Sequence, residues 1–121
     1  MDITFDAETR SEAVLDEIGT AAYAYHITTD VTVAGLKVGD TPAVALRPPI
    51  LTPELRAALM NSAATIHSHN VPFERWIWRK ILTPRYGWPE CPSVQRWSCT
   101  QARALAQALP PKLETLGDAL N

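Results

Sequence analysis

The chain has only two cysteines, Cys91 and Cys99, no long unbroken apolar run, and no large excess of either charge, with a formal net charge of −2. Each scarcity excludes something. Two thiols in a domain of this size argue for reduced cysteines over a bridge. No run approaches the roughly 20 residues that a bilayer span needs, and an N-terminus bearing Asp2 and Asp6 without a basic segment is unlike a signal peptide. The expectation is a soluble, cytoplasmic chain with no membrane partner. A balance of −2 does not announce a nucleic-acid binder, and there is no internal repeat or low-complexity segment. What remains, 121 residues of which 46% are hydrophobic, suffices for one domain with one core over 1–121.

The charges are unevenly spread. Up to Thr65, Arg10, Lys37, Arg47 and Arg56 stand against nine acids, whereas from Ile66 onward seven basic residues face only Glu74, Glu90, Glu114 and Asp118. The basic half is suited to phosphate contacts, although Arg75, Arg79 and Lys80 also read as the solvated face of a helix.

Along the chain, Ile3, Phe5 and Ala7 alternate with Thr4, Asp6 and Glu8, the pattern of a strand with its carboxylates on one face. Ser11 to Tyr25 suggests a short helical turn ending near Gly19. Thr28 to Val38 reads as a strand, with a turn at Gly39–Pro42 and a hairpin partner over Ala43 to Arg47, which Pro48 and Pro49 terminate. Thr52-Pro53-Glu54 is a helix start, followed by a stripe of Leu55, Ala58, Leu59 and Ala63. Thr65 to Ser68 is a short buried strand, and Pro72 to Leu82 a helix with Phe73, Trp76, Ile77 and Ile81 as its apolar face. Thr83 to Arg96 is irregular, with Tyr86 and Trp88 pinned on the core, and Trp97 to Cys99 is a further strand. Thr100 caps a helix with Ala102, Leu105, Ala106 and Leu109, and Leu113, Leu116 and Leu120 begin another. This order predicts an α/β fold, a mixed sheet flanked by helices.

Two acids side by side on a strand repel each other, which is tolerable in solvent or useful where a divalent cation lies between them. Asp6 and Glu8 without context read as solvated strand-edge acids. Their position at the end of an apolar first strand, with Glu74 in the first turn of a later helix as a third carboxylate, points instead to a metal site. Glu74 and Asn70 also suit ordinary helix-terminus roles, complementing the macrodipole and capping. His67 and His69 with the two cysteines lack the spacing of a structural zinc site, so a packed His67 and a hydrogen-bonded His69 are expected. Of Trp76, Trp78, Trp88 and Trp97, at least three are expected in the core rather than as stacking platforms for bases.

Taken together, Phe5-Asp6-Ala7-Glu8-Thr9-Arg10-Ser11, then His69-Asn70-Val71-Pro72-Phe73-Glu74, then Tyr86-Gly87-Trp88-Pro89, then Trp97-Ser98-Cys99-Thr100-Gln101-Ala102-Arg103-Ala104-Leu105-Ala106 with Leu109-Pro110, resemble the N-terminal 3′–5′ exonuclease domain of phage-type DNA polymerases. That family belongs to the DEDD superfamily, with a ribonuclease-H-like fold. The resemblance implies a two-metal exonuclease acting on single-stranded DNA 3′ ends, using two Mg²⁺ or Mn²⁺ ions. Asp6 and Glu8 match the first motif, and Asn70, Phe73 and Glu74 the second, with Glu in place of the superfamily's Asp. The catalytic and metal-binding set is then Asp6, Glu8 and Glu74, and the substrate contacts are Thr9, Asn70 and Phe73. A polymerase domain or a second copy is the implied protein partner, and a bacterial host, phage or prophage the implied setting.

The sequence departs from the family at the third motif, a Tyr or His followed a few residues later by a fourth metal-binding Asp. The late acids are Glu114 and Asp118, and neither Leu113 nor Glu114, five and four residues before Asp118, is Tyr or His. A partial exonuclease domain, incomplete at its C-terminus, is therefore expected. A nuclease-dead module that binds single-stranded nucleic acid, or serves as a scaffold, is the alternative.

Overall fold

The structure, a computed structural model, describes residues 1–99; the helices expected after Thr100, with Glu114 and Asp118, lie outside the described residues. In chain order the elements are β1 (Asp2–Arg10), α1 (Leu15–Ile18), α2 (Thr20–Tyr25), β2 (Asp30–Val38), β3 (Val44–Leu46), α3 (Pro53–Met60), β4 (Thr65–Ser68), α4 (Val71–Ile77), a π-helical segment (Trp78–Leu82), α5 (Thr83–Tyr86), a 3₁₀ turn (Val94–Arg96) and β5 (Trp97–Cys99). The strands form one mixed sheet in the order β3-β2-β1-β4-β5. The pairs β1–β2 and β2–β3 are antiparallel, and β1–β4 and β4–β5 are parallel. With its flanking helices this is the expected α/β, ribonuclease-H-like sheet.

The alternation read in β1 is realised. Ile3, Phe5 and Ala7 are buried while Thr4, Asp6 and Glu8 are exposed. The buried set meets Ile77, Trp78, Ile81 and Leu82, together with Val31, Ala34 and Leu36 of β2 and Ile66 of β4. Phe5 lies 5.3 Å from Trp78 and 5.6 Å from Trp88, and the two indoles meet edge-on at 4.9 Å. Trp97 packs against this cluster half-buried, as Trp76 does, so two of the four tryptophans are core residues where at least three were expected. Trp78 and Trp88 satisfy their ring N–H groups by donating to the Pro89 and Pro49 carbonyls, at 2.9 and 2.7 Å. Both cysteines are free thiols. Among the described residues no helix is long and apolar enough to cross a membrane.

Several local expectations change. The stretch before Gly19 is the four-residue α1, and a second helix, α2, follows it with Tyr23 and Ala24 buried. Its sequence, Thr-Ala-Ala-Tyr-Ala-Tyr, has no polar face to announce it, and so short a helix persists through packing, here against α4. In α3 the buried residue is Leu59, whereas Ala63 lies past the Asn61 cap and is exposed. The irregular stretch holds α5, ended by Gly87 in the left-handed region with φ 70°, and the 3₁₀ turn. His67 is not packed in the core; its Nε2 meets Asp2 Oδ1 at 2.9 Å.

The main change concerns the face of α4. The residues turned inward are Glu74, Ile77, Trp78, Ile81 and Leu82, with Phe73 and Trp76 only half-buried at the rim. That is the i, i+3, i+4, i+7, i+8 spacing of a core-facing helix, with a carboxylate at its head.

Candidate active site

Two adjacent parallel strands bring the carboxylates together. The β1–β4 ladder pairs Asp2 with Thr65, Ile3 with Ile66 and Thr4 with His67, and then ends. The chain leaves the sheet at His69, Asn70 caps α4 by accepting the Phe73 N–H at 3.3 Å, and Glu74 follows in the first turn. Asp6, Ala7 and Glu8 thus extend beyond the last pair on the β4 side. Odd-numbered residues of β1 turn their peptide groups toward β4, as the Thr65 N–H to Met1 carbonyl bond of 3.0 Å shows. Even-numbered ones face β2, as in the 2.8 Å bond from Gly39 N–H to the Asp2 carbonyl. The Ala7 N–H therefore points into the gap that β4 has left, and Glu74 accepts a hydrogen bond from it.

Glu74 is only 4% exposed. Burial pushes its carboxyl well above the ordinary value of 4.5, to about 9. The charge of Asp6 raises it further, the Ala7 hydrogen bond opposes, and hydrogen bonding with Asp6 adds to the rise. The second carboxyl oxygen, Oε2, is buried without a hydrogen-bond partner. One acid of this pair is thus held protonated near neutral pH, with an unused acceptor beside it.

The other residues singled out from sequence take the following places. Glu8 is exposed on the same face of β1 as Asp6, where β2 inserts one extra residue: Glu8 pairs with Val33 but Thr9 with Val31. The extra Thr32 donates its hydroxyl to the Glu8 carbonyl at 3.1 Å. Such bulges recur beside active sites because they re-aim the flanking side chains, and no sequence signal marks this one. Thr9 Oγ1 and the Tyr23 hydroxyl lie 2.9 Å apart, and the Tyr23 ring lies 6.1 Å from that of Phe73. Tyr23, which sequence reasoning missed, therefore ties together two of the three expected substrate contacts. Asn70 uses its side-chain oxygen as the helix cap.

Whether a divalent cation suits the site is decided by the donors. Asp6 and Glu74 are hard oxygen donors set against each other, one buried with an orphan lone pair, and a cation would relieve both the repulsion and the unsatisfied oxygen. The residues fit such an ion. Among the described residues, however, no group of three His, Cys, Asp or Glu side chains is gathered closely enough to hold a metal, so Glu8 does not close on the pair.

Two arginines of the basic half have structural duties. Arg96 donates to the carbonyls of Leu59, Asn61 and Ala64 at 2.7–3.2 Å, closing the C-terminal end of α3. Arg85 donates to the Thr29 carbonyl at 2.9 Å.

No family model and no curated protein matches the sequence. The fold is similar to a solved structure described as the apo form of the nuclease, with a TM-score of 0.51 and 19% identity, over 87% of this chain and 42% of that one. The chain thus spans less than half the length of that nuclease, and at this identity the likeness is one of fold: a ribonuclease-H-like sheet shared with a nuclease.

Proposed function

We propose that the chain is a metal-dependent 3′–5′ exonuclease domain of the phage DNA polymerase type, hydrolysing phosphodiester bonds at single-stranded DNA 3′ ends. The observation that carries the reading is the buried Glu74 set against Asp6 where β1 outruns β4. Ligands of sheets with parallel strands gather at the carboxyl ends of those strands, and this pair lies at one. Asp6 and Glu74 would hold Mg²⁺ or Mn²⁺, and Glu8, on the same strand face as Asp6, would have to turn toward them to join. Bound there, such ions supply Lewis-acid activation of water and stabilisation of the leaving 3′ oxygen. Thr9 and Phe73, tied through Tyr23, would line the approach of the terminal nucleotide, and the Asn70 cap fixes the helix end that presents Glu74. A polymerase domain or a second copy of the chain would be its partner, in a bacterial or phage setting.

The absence of a three-ligand group among the described residues favours one rival, a nuclease-dead module that binds single-stranded nucleic acid. The two part in one assay: shortening of a 5′-labelled single strand with Mg²⁺ or Mn²⁺, beside Asp6→Ala. The exonuclease reading expects stepwise 3′ shortening that the variant lacks. A folded protein that binds the strand but leaves it intact in either metal would establish the rival.

A further inference from the structure

A second feature of α2 and α4 lies away from the carboxylate pair. On the outer side of these helices the rings of Tyr25 and Trp76 stand 5.8 Å apart, inclined at 57°. Lys80 Nζ lies 4.6 Å from the centre of the Tyr25 ring and 5.8 Å from that of Trp76, and Arg79 Cζ lies 5.2 Å from Trp76. Tyr25 is 61% exposed and Arg79 is exposed, while Trp76 leans half-buried against the core, so the group presents aromatic surface and cations at the rim. Trp76 and Arg79 also line a cleft of about 310 Å³ with Val71, Pro72, Arg75 and Val94.

An exposed, tilted aromatic pair with two cations over its rings matches the chemistry of an unpaired nucleic-acid strand. Its bases stack on aromatic faces, and its phosphates take the positive charge. A duplex offers no free base faces. From Glu74 to Lys80 the helix advances roughly 9 Å at 1.5 Å per residue. That is about three nucleotides at a spacing of roughly 3.4 Å. Both cations sit on the π-helical segment, a rare turn that recurs at functional sites.

We propose that Tyr25, Trp76, Arg79 and Lys80 form a track for single-stranded DNA, holding the strand a few nucleotides before the 3′ end that the carboxylate pair receives. The identity of the ligand rests on the nuclease reading; the geometry of the track does not. The test is fluorescence anisotropy of labelled dT12 with the full chain in EDTA, where no cleavage occurs. Tyr25→Ala, at an exposed position, is expected to weaken binding about 5- to 150-fold, the loss of one stacked base. Arg79→Gln with Lys80→Gln is expected to flatten the salt dependence by about two phosphates. Variants that melt like the wild type and bind dT12 equally well would overturn the track. So would a wild type that ignores dT12 at low salt or binds a 12-base-pair duplex as tightly. Track-dependent binding by a chain that cleaves in neither Mg²⁺ nor Mn²⁺ would sink the exonuclease reading and leave the track standing. Cleavage lost in Asp6→Ala but untouched, along with binding, in the track variants would sink the track alone.

Discussion

Two carboxylates withdrawn from solvent beside the paired strands β1 and β2, Asp30 and Glu74, are handled in opposite ways. Asp30, at the start of β2, is met by Arg85 at 3.5 Å and Arg10 at 3.9 Å. It also accepts from the Tyr86 hydroxyl at 2.9 Å and from the Val31 N–H at 2.9 Å. Tyr86 registers the contact: burial raises its hydroxyl's pKa, and the hydrogen bond to Asp30 and its charge raise it further. Glu74 is more deeply buried, yet the charge bearing on it is that of another carboxylate, Asp6. The chain neutralises Asp30 from its own side chains and balances Glu74 with a retained proton. A half-buried acid with internal cations is a structural joint. One set against a second acid is a site for a charge from outside.

The contrast yields predictions of decreasing size. On activity, Asp6→Ala is expected to lower 3′ shortening by about 1000-fold or more, equivalent to at least about 4 kcal/mol of barrier. Asp30→Asn, measured in the same assay at a temperature where it is folded, should stay within about threefold of the wild type. On stability, Glu74→Gln should strengthen the metal-free protein at pH 8 by on the order of a few kcal/mol in urea unfolding, because it removes the proton requirement. Asp30→Asn should instead weaken it by about 1–2 kcal/mol, modest because Arg10 is largely exposed. If both changes destabilise alike, the distinction between joint and site fails. The pH profile follows with its sign. Folded Glu74 keeps its proton to about pH 9, whereas the unfolded chain releases it near 4.5. Metal-free stability is therefore fullest below about 4.5 and declines as pH rises toward 9, a slope that Glu74→Gln should flatten. The smallest effect is that of Thr9→Val, which removes the bond to Tyr23 and should cost about 1 kcal/mol.

Much of this was legible in the residues, and what was not has physical causes. The two-residue alternation of Ile3, Phe5 and Ala7 survives in β1 because one face of that strand is fully buried, which fixes register. The Thr52 and Asn70 caps were readable because capping is local chemistry. Of the stripe expected on α4 and the turn after it, Ile77 and Ile81 are fully buried, whereas Phe73 and Trp76 only lean on the core. Phe73 and Trp76 are strongly apolar and drew the stripe toward themselves, yet they stand at the rim, and the inward stripe begins at Glu74. The clue lay in the spacing: Glu74, Ile77, Trp78, Ile81 and Leu82 form an unbroken core-facing series, and an acid at its head is out of place unless it has a task. The bulge at Thr32 and the Tyr23 link depend on contacts between elements distant in sequence, which no local pattern records.

The most direct test of the central claim, that Asp6 and Glu74 await an external cation, is thermal unfolding at pH 8 with and without Mn²⁺. Binding to the folded state alone raises the midpoint, by about 2.7 kcal/mol of stability when the free ion exceeds its dissociation constant a hundredfold. The account predicts a rise of several degrees in the wild type and in Asp30→Asn, and none in Asp6→Asn or Glu74→Gln. A wild type whose midpoint ignores Mn²⁺, or a rise that persists without the two carboxylates, would contradict it.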